Sequence, residues 1–320
     1  MGNSIERVEV FGNDNVSGDS ALDRKRTEIP KGMLLLCPTP IGNLGDITLR
    51  VLKALEGVDL IAAEDTRNTL RLLNHFDIKK PLTSYHEYNK YDKARELADK
   101  LHEGARIALV TDAGTPGISD PGEVLVKLCR EEGLSVTALP GACAAVTALS
   151  GSGLPSRRFA FEGFLPQDKK EREEALSLLK EETRTVILYE APHRLVKTLK
   201  ELYNVLGERE IALCRELTKL YEEYKRTTLS EAIAFYEAET PRGEFVLILQ
   251  GKDPRSVKEE REESFRLLPL SEHMERYRKQ GYDEKESMKL VAKDRGVSKR
   301  EIYKLLLEAS SQNDTGDPEG

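Results

Sequence analysis

Asp112-Ala-Gly-Thr-Pro-Gly-Ile-Ser-Asp-Pro-Gly122 decides how this chain folds. An apolar run, 107–110, precedes it and has the length and composition of a buried strand. Val124, Leu125, Leu128 and Cys129 follow at helical spacing, so the stretch joins a strand end to a helix start. Asp120 is the expected N-cap, Pro121 the first helical residue, and Glu123 the partner in a capping box. The loop has eleven residues, with three glycines and two prolines. A plain strand-to-helix connection takes about two to six. Open α/β sheets bind ligands at such strand ends, and glycine lets backbone approach a ligand closely.

Working outward, strands and helices alternate. Runs 33–37, 58–63, 107–111 and 135–139 read as strands. Helical patterns lie around Leu49, Leu52 and Leu55, around 70–73, over 93–101, over 121–131, and over 142–149 after Pro140-Gly141. That order predicts an α/β domain at 32–150 with a mainly parallel sheet. Gly151-Ser-Gly-Leu-Pro-Ser156 reads as a linker. A second α/β domain is expected at 151–251, with strands at 159–161, 185–189, 211–214, 224–227 and 245–249 and helices near 169–181, 194–206 and 230–239. Its denser strands predict a mixed sheet. The leader, 1–31, has no sustained periodicity and reads as flexible, without a secretory h-region. The charged segment 252–268 reads as a solvated linker or exposed helix. Capping boxes at Asp283-x-x-Glu286 and Ser298-x-x-Glu301, with Gly296 between them, predict a C-terminal helix pair within 252–320.

The totals exclude several classes. In 320 residues, 39% are hydrophobic, which supports folded domains. No apolar run reaches the ~20 residues of a membrane span. The net charge is -7, so any nucleic-acid surface must be a local basic patch. The lysines at 285, 289 and 293, with Lys299, Arg300 and Lys304, offer one such strip, though acidic residues interleave. Cys37, Cys129, Cys143 and Cys214 form no C-x-x-C pair and read as buried thiols of a reducing, cytoplasmic compartment. No cluster has metal-ligand spacing. There is no P-loop and no G-x-G-x-x-G fingerprint, so a nucleotide-like ligand needs another mode of binding.

Polar clusters stand at several expected strand ends: 38–45, 64–67, 112–120, 189–194, 215–219 and 242–244. Singly, each has a plain structural use. Together along one sheet edge they predict a shared cleft. Ser84-Tyr-His-Glu-Tyr-Asn89 adds a dense run of donors and acceptors, in which His86 is a candidate proton acceptor.

Pro38-Thr-Pro-Ile-Gly-Asn-Leu-Gly-Asp46, Glu64-Asp-Thr-Arg67, Ser84-Tyr-His-Glu87, the 112–122 loop, Tyr189-Glu-Ala-Pro-His-Arg194, Arg215-Glu-Leu-Thr-Lys219 and Arg242-Gly-Glu-Phe-Val246 resemble, in order, the tetrapyrrole-methylase-like methyltransferases, specifically those that act on small-subunit ribosomal RNA. Tyr88 stands where that family often carries histidine. The resemblance implies a two-domain tetrapyrrole-methylase-like fold, S-adenosyl-L-methionine (SAM) as cofactor, and a homodimer. It implies 2′-O-methylation of a cytidine in the decoding region of 16S rRNA within the 30S subunit. Cofactor contacts are expected from Pro40, Ile41 and Gly42, from Asp112, Gly114, Thr115, Pro116, Ser119 and Asp120, and from Gly141 and Ala142. Glu87, His86, Glu190 and Lys219 are candidates for the base that a weakly acidic 2′-hydroxyl calls for, and Arg67 and Arg194 for grips on flanking phosphates. Tyr85, Tyr88 and Tyr91 are candidate stacking platforms. Two alternatives stay open: a methyltransferase of a tetrapyrrole or other small molecule, and a non-catalytic ribosome-assembly factor.

Overall fold

The computed structural model describes residues 28–313, with side chains to 308; most of the 1–31 leader lies outside them. The chain forms two compact units. The first takes the described residues up to Thr147 together with Glu216–Glu222, and the second takes Ala148–Arg215 and the described residues from Glu223 onward.

The first unit is built on strands β1 (Met33–Leu36), β2 (Leu60–Ala63), β3 (Leu82–Ser84), β4 (Ile107–Val110) and β5 (Ser135–Ala138), all parallel, in the order β3-β2-β4-β1-β5. Helices α1 (Leu49–Gly57), α2 (Thr66–His75), α3 (Lys90–His102) and α4 (Gly122–Glu131) connect them, and α5 (Ala144–Gly151) follows β5. The central strands are apolar on consecutive residues because both faces are covered. Leu35, Ala63, Ala108 and Val110 face a cluster with Val51, Leu55 and Leu73; Leu34, Ala62, Ile107 and Leu109 face Leu97, Leu101 and Leu125. β1 lies between β4 and β5, so the chain reverses direction across the sheet there and the loops after these strands lie side by side.

The second unit carries β6 (Phe159–Phe164), β7 (Thr185–Glu190), β8 (Glu210–Arg215), β9 (Glu223–Thr228) and β10 (Phe245–Leu249) in the order β6-β7-β10-β8-β9. β6 runs parallel to β7 and the other pairs are antiparallel, giving the mixed sheet the strand density predicts. Helices α6 (Lys169–Leu179), α7 (Leu195–Leu206) and α8 (Leu229–Ala238) pack on it through Leu176, Leu199, Leu202 and Ala232.

Two local readings need correction. Helix α4 begins at Gly122, with Pro121 in the cap position and no side-chain capping bond, so the Asp120–Glu123 box is not formed. The Asp120 carboxylate closes the loop upon itself instead. The C-terminal region is more than a helix pair: the exposed helix that 252–268 allowed is α9 (Pro254–Leu267), and a further helix, α10 (Leu270–Lys279), stands before α11 (Glu284–Asp294) and α12 (Lys299–Asn313). Met274 of α10 joins Val291, Ala292 and Ile302 in one small core. The α10 pattern is hard to read because His273, though polar, is buried, stacked on Phe265 at 4.8 Å and bonded to Arg295 and Asp294. Both predicted caps on the last two helices are present: Asp283 Oδ1 accepts Glu286 N–H at 2.7 Å and Ser298 Oγ accepts Glu301 N–H at 3.2 Å.

Candidate active site

In the first unit, the loops that leave β1, β4 and β5 are hydrogen-bonded to one another. Thr39 and Gly114 exchange both backbone bonds, at 2.9 and 3.0 Å, and Thr39 Oγ1 donates to Thr111 O at 3.0 Å. Thr115 Oγ1 donates to Ala142 O at 2.9 Å. Gly141 lies so close to Pro38 that a Cβ there would stand 2.4 Å from the proline Cβ. Glycine is required at that crossing for space.

The β2 loop joins from the other side. Glu64 Oε2 accepts Thr111 Oγ1–H at 2.6 Å and Asp112 N–H at 3.3 Å, and Asp112 Oδ1 accepts Asp65 N–H at 3.2 Å. Partial burial, and then the neighbouring Glu64, raise the Asp112 carboxyl above its ordinary range. Asp65 is held down at about 2 by its hydrogen bonds to Arg67.

The 112–122 loop is tied internally. The Asp120 carboxylate accepts Gly117 N–H at 2.8 Å, Ile118 N–H at 3.1 Å and Gly122 N–H at 2.7 Å. Tyr85, 1% exposed, donates its hydroxyl to Pro121 O at 2.9 Å.

The 216–222 turn, far along the chain, completes this unit. A Cβ on Gly42 would lie 2.4 Å from Lys219 Cγ and 3.0 Å from Thr218 Oγ1. The Thr218 hydroxyl is buried and has no hydrogen-bond partner among the described residues. Backbone strain gathers here as well. Among the described residues, four non-glycine residues have positive φ, and Ser119, Glu216 and Thr218 are three of them. Such strain persists where surrounding structure enforces it, and it clusters at functional sites. A cleft of about 370 Å³ opens in the same unit, lined among others by Thr39, Pro40, Gly42, Asn68, Arg71 and Asp112. A carboxylate at the cleft wall, and a hydroxyl in the same unit with no partner among the described residues, fit a ligand that carries both polar and cationic groups.

The family model for Tetrapyrrole (Corrin/Porphyrin) Methylases matches residues 33–233. The chain belongs to the tetrapyrrole methylase family. Its relatives include proteins named ribosomal RNA small subunit methyltransferase I. The one from Halalkalibacterium halodurans is 50% identical over 86% of this chain and 94% of its own length. Those from Bacillus subtilis and Escherichia coli O157:H7 are 48% and 46% identical over 85% and 87% of this chain, and 93% and 96% of their own lengths. Among solved structures, a diphthine synthase has a TM-score of 0.53 at 13% identity, covering 68% of this chain and 90% of its own. The methyltransferase CobJ has a TM-score of 0.52 at 18% identity, covering 68% and 93%. These two likenesses speak for the fold.

In this tetrapyrrole methylase, the residues expected to hold a cofactor are gathered in the first unit. Pro40 to Gly42, Asp112, Gly114, Thr115, Gly141 and Ala142 all border the meshed loops. Gly114 and Pro116 are buried within them. Asp120 and Ser119 are there too, but the Asp120 carboxylate is spent on three loop amides, so it shapes the loop instead of reaching a ligand.

The candidate catalytic groups divide between the units. Lys219 packs on Gly42 and is ion-paired to Glu216 at 2.9 Å. Glu87, with its side chain 62% exposed, pairs with Lys90. His86 has a buried Nδ1 without a partner among the described residues. Arg67 forks onto Asp65, at 2.7 and 3.1 Å. Glu190 and Arg194 belong to the second unit.

Glu190 is 3% exposed; Thr198 donates its hydroxyl to Oε2 at 2.5 Å and Ala191 its N–H to Oε1 at 2.8 Å. A carboxylate so enclosed organises the turn and is not placed to take a substrate proton, which corrects the sequence reading. Tyr85, likewise, is a buried strut; Tyr88 and Tyr91 stay exposed at 98% and 72%. Thr218 and Glu64 lie inside the strand-end motifs 215–219 and 64–67, where sequence alone assigns neither a role. Only the fold shows one as an unpartnered hydroxyl and the other as a clasp between two loops.

Proposed function

We propose that this methylase transfers a methyl group from SAM to the 2′-oxygen of a cytidine ribose in 16S rRNA. The observation that carries the reading is the Gly42–Thr218 cradle beside Asp112, inside the region that matches a methylase family. The names of the relatives support small-subunit rRNA as the substrate. We place the reaction on the 30S subunit in the cytoplasm, with the enzyme as a homodimer. Among the described residues, no helix is long and apolar enough to cross a membrane.

When bound, SAM supplies an electrophilic methyl carbon on a positively charged sulfur. The chain's own residues do the rest. Pro40 and Gly42 line the cleft, Ile41 packs beside Gly114, and the absence of a Cβ at Gly42 lets the Lys219 stem pack against that wall. Thr218 Oγ1 offers an unused hydrogen bond, and Asp112 a carboxylate suited to an ammonium or ribose hydroxyl. Gly114, Thr115, Pro116, Gly141 and Ala142 keep the wall rigid, with Ser119 and Asp120 holding the loop's shape. Placement of the ribose oxygen in line with the methyl carbon and sulfur supplies much of the rate.

Bound SAM would exchange its carbon–sulfur bond for the new oxygen–carbon bond, with the electron pair kept on sulfur, and the 2′-hydroxyl proton would need an acceptor from this chain. His86 and Glu87 remain the candidates to accept that proton. Lys219, paired to Glu216, serves as a cation instead. Arg67 is a candidate phosphate grip.

The test incubates the protein with methyl-labelled SAM and 30S subunits lacking the modification. Label in an alkali-resistant dinucleotide of 16S rRNA is expected. Label only in a small molecule, or none in any acceptor, would remove the rRNA assignment.

A further inference from the structure

The second unit has a cleft of its own, of about 750 Å³, between the segment after β6 and the start of α7. Its side-chain lining includes Phe164, Gln167, Arg172, His193, Arg194 and Lys197 and, among the described residues, no carboxylate. That is unusual for a chain of net charge -7.

The cleft is firmly built. Arg172 is 6% exposed and donates to Glu201 Oε2 at 2.7 Å, Thr198 Oγ1 at 2.7 Å and Pro166 O at 3.3 Å. Arg194 donates to Leu165 O at 3.3 Å and lies 3.7 Å from Glu190 Oε1. Two arginines thus pin the backbone on which Phe164 stands. A register shift in β6, between Phe161 and Gly163, changes the alternation just before Phe164 and brings it to the surface. Its ring is 54% exposed and braced edge-on by Tyr189 at 5.5 Å. Lys197 keeps its side chain 73% exposed and touches Glu201 only at 3.8 Å. Asp168, next to the cleft, has its carboxylate turned to capping α6.

An exposed, braced aromatic ring beside several cations is the chemistry that holds unpaired nucleotides. Every base has a face to stack, and the phosphates seek the cations. We propose that this cleft is a second contact site for the RNA substrate, with an unpaired base on Phe164 and adjoining phosphates on His193, Arg194 and Lys197. The proposal rests on the reading that the chain acts on rRNA.

The experiment measures binding of unmodified 30S subunits by wild-type protein and by Phe164→Ala, Lys197→Glu and, as a control on α9 and not in the cleft lining, Lys258→Glu, over a range of salt. SAM affinity is followed in parallel. Phe164→Ala is expected to weaken subunit binding by about fivefold or more. Lys197→Glu should lower the slope of log affinity against log salt by about 0.7 or more. SAM affinity and the control stay at wild-type values. If wild-type protein binds subunits and both cleft variants match it, the site is refuted and the rRNA reading stands. If SAM affinity falls in step with RNA affinity, the residues are structural and the proposal fails. If SAM-loaded wild-type protein neither binds nor methylates 30S subunits, the rRNA reading itself fails, and this site with it.

Discussion

A Cβ on Gly42 would stand 2.4 Å from Lys219 Cγ. The β1 loop and the 216–222 turn therefore touch at a point where only glycine leaves room. Gly42→Ala must displace the Lys219 stem and crowd the Thr218 hydroxyl. SAM affinity measured by calorimetry is expected to fall about tenfold or more, about 1.4 kcal/mol, with little change in far-UV dichroism. Affinity equal to wild type would take this contact out of the cofactor site.

Asp120 bonds three amides of its own loop, at 2.7 to 3.1 Å. Asp120→Ala removes them together and leaves partly buried N–H groups unpaired, at a cost of about 1–3 kcal/mol each where water cannot replace the bond. Thermal unfolding should show a lowered Tm, and proteolysis should find the 112–122 segment first. An unchanged Tm would contradict the role assigned to this carboxylate.

The raised Asp112 carboxyl makes a pH prediction with a definite sign. Its folded state holds the proton more tightly than the unfolded chain does. Its contribution to stability is therefore most favourable at low pH and is lost as pH rises through the folded value. Asp112→Asn keeps an acceptor for Asp65 N–H and removes the repulsion with Glu64, so Tm at neutral pH is expected to rise. SAM affinity should fall in the same variant. In the wild type, acidification should weaken SAM binding from a pH above the ordinary carboxylate range, and Asp112→Asn should flatten that dependence. A lower Tm at pH 7, or an unaltered pH profile of binding, would count against it.

Glu190 distinguishes a structural carboxylate from a catalytic one. It is enclosed by Thr198, Ala191 and Arg194. Removing its charge leaves Arg194 less well paired, and breaking a buried pair costs about 3–5 kcal/mol at the upper end. Glu190→Gln is expected to lower the urea midpoint clearly while single-turnover methylation at low temperature stays within a few-fold of wild type. A loss of rate by a thousandfold in a fully folded variant would restore Glu190 as the base.

Much of the architecture was legible in local pattern. β1, β2, β4 and β10 are consecutive apolar residues bounded by polar turns, and the helices that follow carry the 3.6-residue stripe. α10 carries no clear apolar stripe because its buried His273 breaks the pattern, and the partners of that histidine, Asp294 and Arg295, lie on the next helix and just beyond its end. A similar rivalry decides Asp120: one carboxylate has several nearby amides within reach, and closure of its own loop wins over a capping box.

Sequence alone determined the alternation of elements, the parallel first sheet and the strand-end loops from which a site had to come, because these follow from periodicity and turn chemistry within a few residues. It also carried the family likeness, through ordered motifs. Tertiary structure decided which polar groups are spent and which are left over. Asp120 and Glu190 are consumed by neighbouring donors, while the Thr218 hydroxyl beside Gly42 is left without a partner among the described residues. Hydrogen-bond satisfaction depends on partners brought together by the fold, and no local pattern encodes that pairing.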